Sequence, residues 1–165
     1  MTVLTVILIA LFLTIMVLVS KIQGTARVVN YAGLIRGKTQ RIIKLEDAKE
    51  PQDEMIESVA SFIEGLRYGS DELNLVRLDD HAFQNKMKEL DEHFQKLQKE
   101  IRQVRKEGYE NTEIIEKSEV FFVICDEATG LAEKYSQKKA TSLSLLEKYI
   151  TADIVVLMLL IGYEF

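Results

Sequence analysis

No disulfide can form inside this chain, because Cys125 is its only cysteine, so a packed core must supply the stability that covalent staples give elsewhere. The flanking run Phe121 to Ile124 marks that thiol as buried rather than reactive. Proline occurs once, at Pro51, and there is no tryptophan. Sustained alternation of apolar and polar residues is also missing, which removes the main signal for strands and leaves long helices as the reading. The 26 acidic and 21 basic residues are interspersed and sum to a net charge of −5, which offers no basic patch for nucleic acid. The two histidines, His81 and His93, stand apart from any cysteine or carboxylate cluster at ligand spacing, so no metal site is expected. A glycine-rich phosphate loop, a nucleophile elbow and a Cys–His pair are lacking as well. Neither catalytic residues nor a cofactor is therefore expected of this chain by itself.

What is present is apolar sequence at both ends. From Thr2 to Ser20 the chain carries no charged residue, long enough at about 1.5 Å per residue to cross a hydrocarbon core of about 30 Å. A second run begins near Tyr149, with its uncharged part from Ile154 to Tyr163, and needs residues after Phe165 to complete a span. The expected organisation is a first transmembrane helix over 1–20, a single helical domain over 21–148 and the start of a second transmembrane helix over 149–165. A cleaved signal peptide is disfavoured because no basic residue precedes the first run and no small-x-small site follows it at Val19–Lys21. Lys21 and Arg27, read literally by the positive-inside rule, would hold the middle domain in the cytoplasm. The rule weakens for segments beyond about 60 residues, and the domain is placed outside the cytoplasm.

The middle region reads as four helices. The first continues out of the apolar run to about Asp47, and Pro51 then opens a second, whose stripe is Met55, Val59, Phe62, Ile63 and Leu66 and whose end is Gly69. The third has the clearest periodicity: Phe83, Met87, Leu90, Phe94, Leu97, Ile101 and Val104 follow a four-three spacing, with Asp79 or Asp80 as the cap and Gly108 as the stop. Between them, Leu73, Leu75, Val76 and Leu78 point to a connector folded over one end of the bundle. The fourth starts near Asn111 or Thr112 and carries Ile114, Phe121, Cys125, Ala128, Ala132, Tyr135, Leu146 and Tyr149 toward the second apolar run. The expected fold is all-α, an antiparallel up-down four-helix bundle whose first and last helices continue into transmembrane helices.

One stripe on the first helix departs from an ordinary core. Ala26, Asn30, Gly33, Gly37, Gln40 and Lys44 recur at helical spacing but are small or polar, and each glycine costs about 1 kcal/mol of helix propensity relative to alanine. Either the face approaches a second helix or a ligand closely, or the stretch is poorly packed near the membrane.

The run Val29-Asn30-Tyr31-Ala32-Gly33-Leu34-Ile35-Arg36, followed after four intervening residues by Arg41, resembles the signature box of the sensor domain shared by nitrate/nitrite sensor kinases and type IV pili chemotaxis transducers. That box is an aliphatic residue, Asn, any residue, Ala-Gly, two residues, Arg, four residues and Arg, and every fixed position is matched. The resemblance implies an extracytoplasmic four-helix bundle between two membrane spans, acting as a homodimer embedded in the lipid bilayer of the cell membrane. It further implies a small anionic ligand held by Arg36 and Gly33 between the first helices of the two copies, with Asn30, Gly37, Gln40 and Arg41 in the box and dimer face. A guanidinium suits that task, since its planar forked donors match an oxyanion. The rival for Arg36 is an ion pair with a carboxylate of another helix, and for Arg41 such a structural pair is preferred. Leu34, Gly37 and Lys38 depart from the nitrate-sensing pattern, so nitrate specificity is not inherited. The resemblance also implies a histidine kinase or diguanylate cyclase beyond Phe165. The competing reading is a passive membrane-anchored dimerisation or spacer module with no ligand.

Overall fold

The computed structural model describes the backbone of residues 2–164, and side chains throughout except those of 2–5, 8, 18, 21, 146, 153, 156, 157 and 160–164. Four α-helices account for most of it: α1 over Thr2–Asp47, α2 over Asp53–Tyr68, α3 over His81–Glu107 and α4 over Ile114–Glu164. A 3₁₀ turn, Tyr109–Asn111, precedes α4, which therefore begins slightly later than the Asn111 or Thr112 expected. Among the described residues the only strand-like pairing is an isolated bridge between Ser70 and Leu75. The chain divides into two compact units, Gly24–Tyr135 on one hand and Met1–Gln23 with Ser136–Phe165 on the other.

Within the unit Gly24–Tyr135, all four helices contribute to one core. From α1 come Val28, Ala32, Ile35 and Ile42, and from α2 Val59, Ile63 and Leu66. The whole expected α3 seam from Phe83 to Val104 is buried, and α4 adds Ile114, Phe121, Cys125, Ala128 and Ala132. Phe94 and Phe121 meet with ring centroids 5.7 Å apart, and Tyr31 meets Phe62 edge-on at 4.7 Å. Such offset and edge contacts avoid overlap of the negative ring faces.

Each helix end has a local cause. The Asp80 carboxylate accepts the Phe83 amide at 2.9 Å, which resolves the choice between Asp79 and Asp80 as the α3 cap. Gly69 and Gly108 stop α2 and α3 with φ of 89° and 83°. At the end of α1 the amide of Glu50 reaches the Leu45 carbonyl and that of Lys49 the Glu46 carbonyl, a Schellman arrangement that puts Lys49 at φ 63°. Two buried carboxylates then anchor the turns. Glu46 accepts the Gln52 amide at 2.9 Å ahead of α2, and Glu100 accepts the Glu113 amide at 3.2 Å ahead of α4. Lys117 completes the Glu100 site as a cationic partner.

The connector between α2 and α3 folds back as its leucines require. Leu75 and Leu78 are buried, whereas Val76 stays half-exposed and lies against Gly24 of α1. A Cβ on Gly65 would stand 3.0 Å from Leu75, so the absence of a side chain there is what lets the connector close over α2.

In the other unit most described apolar side chains of α1, among them Val6, Phe12, Leu13, Met16 and Val17, are exposed, as are Val155, Met158 and Leu159 of α4. Among the described residues, α1 is the one helix long and apolar enough to cross a membrane. The expected second span falls in large part on residues outside the described side chains. Tyr149, read as part of the buried α4 stripe, is exposed, and Ile150 takes the inward position. Leu146 of the same stripe lies outside the described side chains.

Candidate functional site

The buried positions of α1 from Thr25 to Glu46 follow a three-four spacing, Thr25, Val28, Ala32, Ile35, Thr39, Ile42 and Glu46. A helix that commits this stripe to the core must turn the opposite one outward. That opposite stripe is Ala26, Asn30, Gly33, Gly37, Gln40 and Lys44, and all six are exposed. Leu34 shares this face and is 39% exposed. Cβ atoms placed on Gly33 and Gly37 would meet nothing within 4 Å. No packing inside the chain therefore calls for glycine at either position.

Arg36 sits at the edge of this face, turned toward α4. Its Nε lies 3.0 Å from Asp126 Oδ1, and its guanidinium stands over the Phe122 ring at 5.6 Å. Nε is sealed from solvent, and its N–H is not directed at a hydrogen-bond acceptor. The contact is thus an ion pair without a well-aligned hydrogen bond, in which both side chains stay substantially solvated, at 41% and 62% exposure. The Asp126 and Phe122 partners were not legible in the sequence. The one signal is that both flank the buried α4 stripe through Phe121 and Cys125, where a residue faces a neighbouring helix.

On the other edge Lys38 turns toward α2, donating to Ser58 Oγ at 3.1 Å and standing 5.1 Å from the Phe62 ring centroid. Arg41 is exposed, and none of the ion pairs among the described residues includes it. The structure therefore brings Asn30, Gly33, Gly37 and Gln40 together on one open face with Arg36 beside it, and leaves Arg41 solvent-facing.

Cys125 is buried directly behind this edge. Burial pushes its thiol up to about 12, the neighbouring Asp126 adding to the shift and Arg36 opposing it. A thiol in that state is a packing group and not a nucleophile. Clefts lie elsewhere on the surface. One of about 590 Å³ is lined by Glu46, Pro51 and Arg105 among others, and of these Glu46 and Arg105 pair with each other. Among the described residues no group of three or more His, Cys, Asp or Glu is placed to hold a metal ion.

No curated protein and no solved structure matches this chain. A family match does exist, and it runs from within the apolar part of α1 through the first residue of α4, containing the whole of the box from Val29 to Arg41. Over residues 17–114, more than half its length, the chain matches the type IV pili methyl-accepting chemotaxis transducer N-terminal family (PilJ), and it belongs to that family of signal-transduction input domains, whose membrane setting agrees with the apolar helix α1.

Proposed function

We propose that the chain is the extracytoplasmic sensor input region of a bacterial transmembrane signal transducer, working as a homodimer through the outward stripe of α1. The observation that carries this reading is the pair of glycines, Gly33 and Gly37, on an open helix face where nothing within the chain needs them. Glycines spaced four apart on an exposed face let a second helix approach closely, and they are costly to keep otherwise. In this arrangement Arg36 and Gly33 of each copy flank a small anion between the two first helices. Two facing guanidinium groups repel each other until an anion bridges them, so the anion favours one helix arrangement over another.

The bundle is read as up-down and antiparallel. Residues rising along α1 pair with residues falling along α2, as in Tyr31 with Phe62 and Lys38 with Ser58. The same holds for α3 and α4, in Lys86 with Glu127, Phe94 with Phe121 and Glu100 with Lys117. With two spans, a shift of about 1 to 2 Å in the terminal helices carries the signal inward to a kinase or cyclase module.

The test uses the full chain in lipid nanodiscs. Thermal melting against a panel of small anions and organic acids is compared with Arg36→Ala, and dimerisation by native mass spectrometry is compared with Gly33→Leu. Stabilisation by an anion that disappears in Arg36→Ala, with dimer loss in Gly33→Leu, is the expected result. A monomeric wild-type chain would overturn the proposal. A second reading, a passive dimerisation or spacer module, draws on the Arg36–Asp126 pair, which occupies the arginine without any ligand. Dimer loss in Gly33→Leu with no anion response in the wild type would select it.

A further inference from the structure

Arg36 is not free to receive a ligand as it stands, because an anion of the chain's own is already beside it. The Asp126 carboxylate is 3.0 Å from Nε, on the helix that leads to the C-terminal apolar run. We infer that Asp126 is the resident anion of the Arg36 site, competing with any solute anion and tying α1 to α4 until one displaces it; this rests on the anion-binding reading of Arg36 proposed above.

Three features of the contact favour displacement. Both side chains are solvated enough that the pair gains little over separate hydration. The Nε–H is not aimed at the carboxylate, so the charge-assisted bond that would lock the pair is not formed. The Phe122 ring under the guanidinium is itself buried, and its attraction for the cation does not depend on Asp126. When the carboxylate lets go, Arg36 stays docked on Phe122 with its forked nitrogens available to an oxyanion.

The consequence is reciprocal. With Asp126 engaged, the negative charge beside the site repels an incoming anion. With the solute bound, the ion pair between α1 and α4 is broken and only the Arg36–Phe122 contact still joins them at this level, so the competition itself converts occupancy into a change in how these two helices are held. Asp126 acts through Arg36 and is a positioning residue in this scheme.

The experiment measures the affinity of the full chain in nanodiscs for nitrate and for sulfate, from the dose dependence of the melting temperature. Wild type, Asp126→Asn, Arg36→Ala and a charge control, Glu133→Gln at an exposed position two turns further along α4, are compared. Asparagine keeps the shape and removes the charge, so Asp126→Asn is expected to bind at least one of the two anions about fivefold more tightly than wild type, from loss of a neighbouring charge and of the competitor. Arg36→Ala is expected to bind neither, and Glu133→Gln to match wild type. Detectable binding in Asp126→Asn alone also supports the inference. Equal or weaker binding in Asp126→Asn, with binding still lost in Arg36→Ala, overturns the competition while leaving the anion site intact. Equal tightening by Glu133→Gln overturns it as well, since net charge then explains the gain. No binding by wild type or Asp126→Asn removes the anion site and this inference together.

Discussion

Glu46, near the end of α1, and Arg105, in the last turn of α3, are joined by two hydrogen bonds, Nε to Oε2 at 2.8 Å and Nη2 to Oε1 at 2.5 Å. The Glu46 side chain is only 3% exposed, and its carboxylate also takes the Gln52 amide, so one buried group holds the ends of α1 and α3 and the entry to α2. Asp53 shares the arginine at 2.8 Å.

Removing the arginine strands a buried carboxylate. Arg105→Met is expected to lower stability by about 2 to 4 kcal/mol, somewhat below a fully buried pair because Arg105 itself is part-exposed. Adding Glu46→Gln should recover part of that loss, with a coupling of about 1 to 3 kcal/mol in urea titrations of the four variants. Additive losses would show that the pair does not act as a unit.

Thr39 is fully buried, and its hydroxyl has no hydrogen-bond partner. A desolvated hydroxyl without a bond destabilises the fold, and valine has nearly the same shape without it. Thr39→Val is therefore expected to raise stability by about 1 kcal/mol, read as an upward shift in melting temperature. A loss on this substitution would mean the hydroxyl is satisfied in solution.

Burial pushes the Cys125 thiol up to about 12 in the folded chain from its ordinary value of 9.0. Because the folded value is the higher one, the unfolded chain loses its proton first, and stability is complete below pH 9 and falls between about pH 9 and 12. Comparing wild type with Cys125→Ala across that window isolates this term from other titrations: the wild type should lose more. At neutral pH, alkylation of Cys125 should proceed only as fast as the bundle opens, and fast modification of the native chain would contradict its burial.

Two glycines separate close packing from mere permissiveness. At Gly65 a methyl group meets Leu75, Leu73 and Ser70 within 3.3 Å, so Gly65→Ala should displace the connector and cost about 1 to 3 kcal/mol. At Gly130, in α4, a methyl group meets nothing within 4 Å, and Gly130→Ala should gain up to about 1 kcal/mol from helix propensity. Urea midpoints of the two variants should move in opposite directions.

Periodicity made much of the fold legible in advance. The four-three run from Phe83 to Val104 is buried throughout, and Gly69, Gly108 and the Asp79–Asp80 pair marked helix ends because capping is a local property. Local signals failed where a neighbour decided. Tyr149 extended an apolar stripe by spacing yet is exposed, while Ile150 turns inward. Lys49 gave no sign of a left-handed conformation, since lysine has no preference for it and the turn from α1 to Pro51 imposes it.

The sequence by itself determined that the chain is helical, that its N-terminal run is apolar enough for a membrane and that it carries the box from Val29 to Arg41, because each of these is written in residues close together along the chain. It also marked the stripe through Gly33 and Gly37 as unsuited to a core. Only the tertiary structure decided that this stripe faces outward with nothing against it, and that Arg36 is engaged by Asp126 over the Phe122 ring. Those partners lie on a helix distant in sequence, and which edges of two helices meet follows from how the whole core packs rather than from any local pattern.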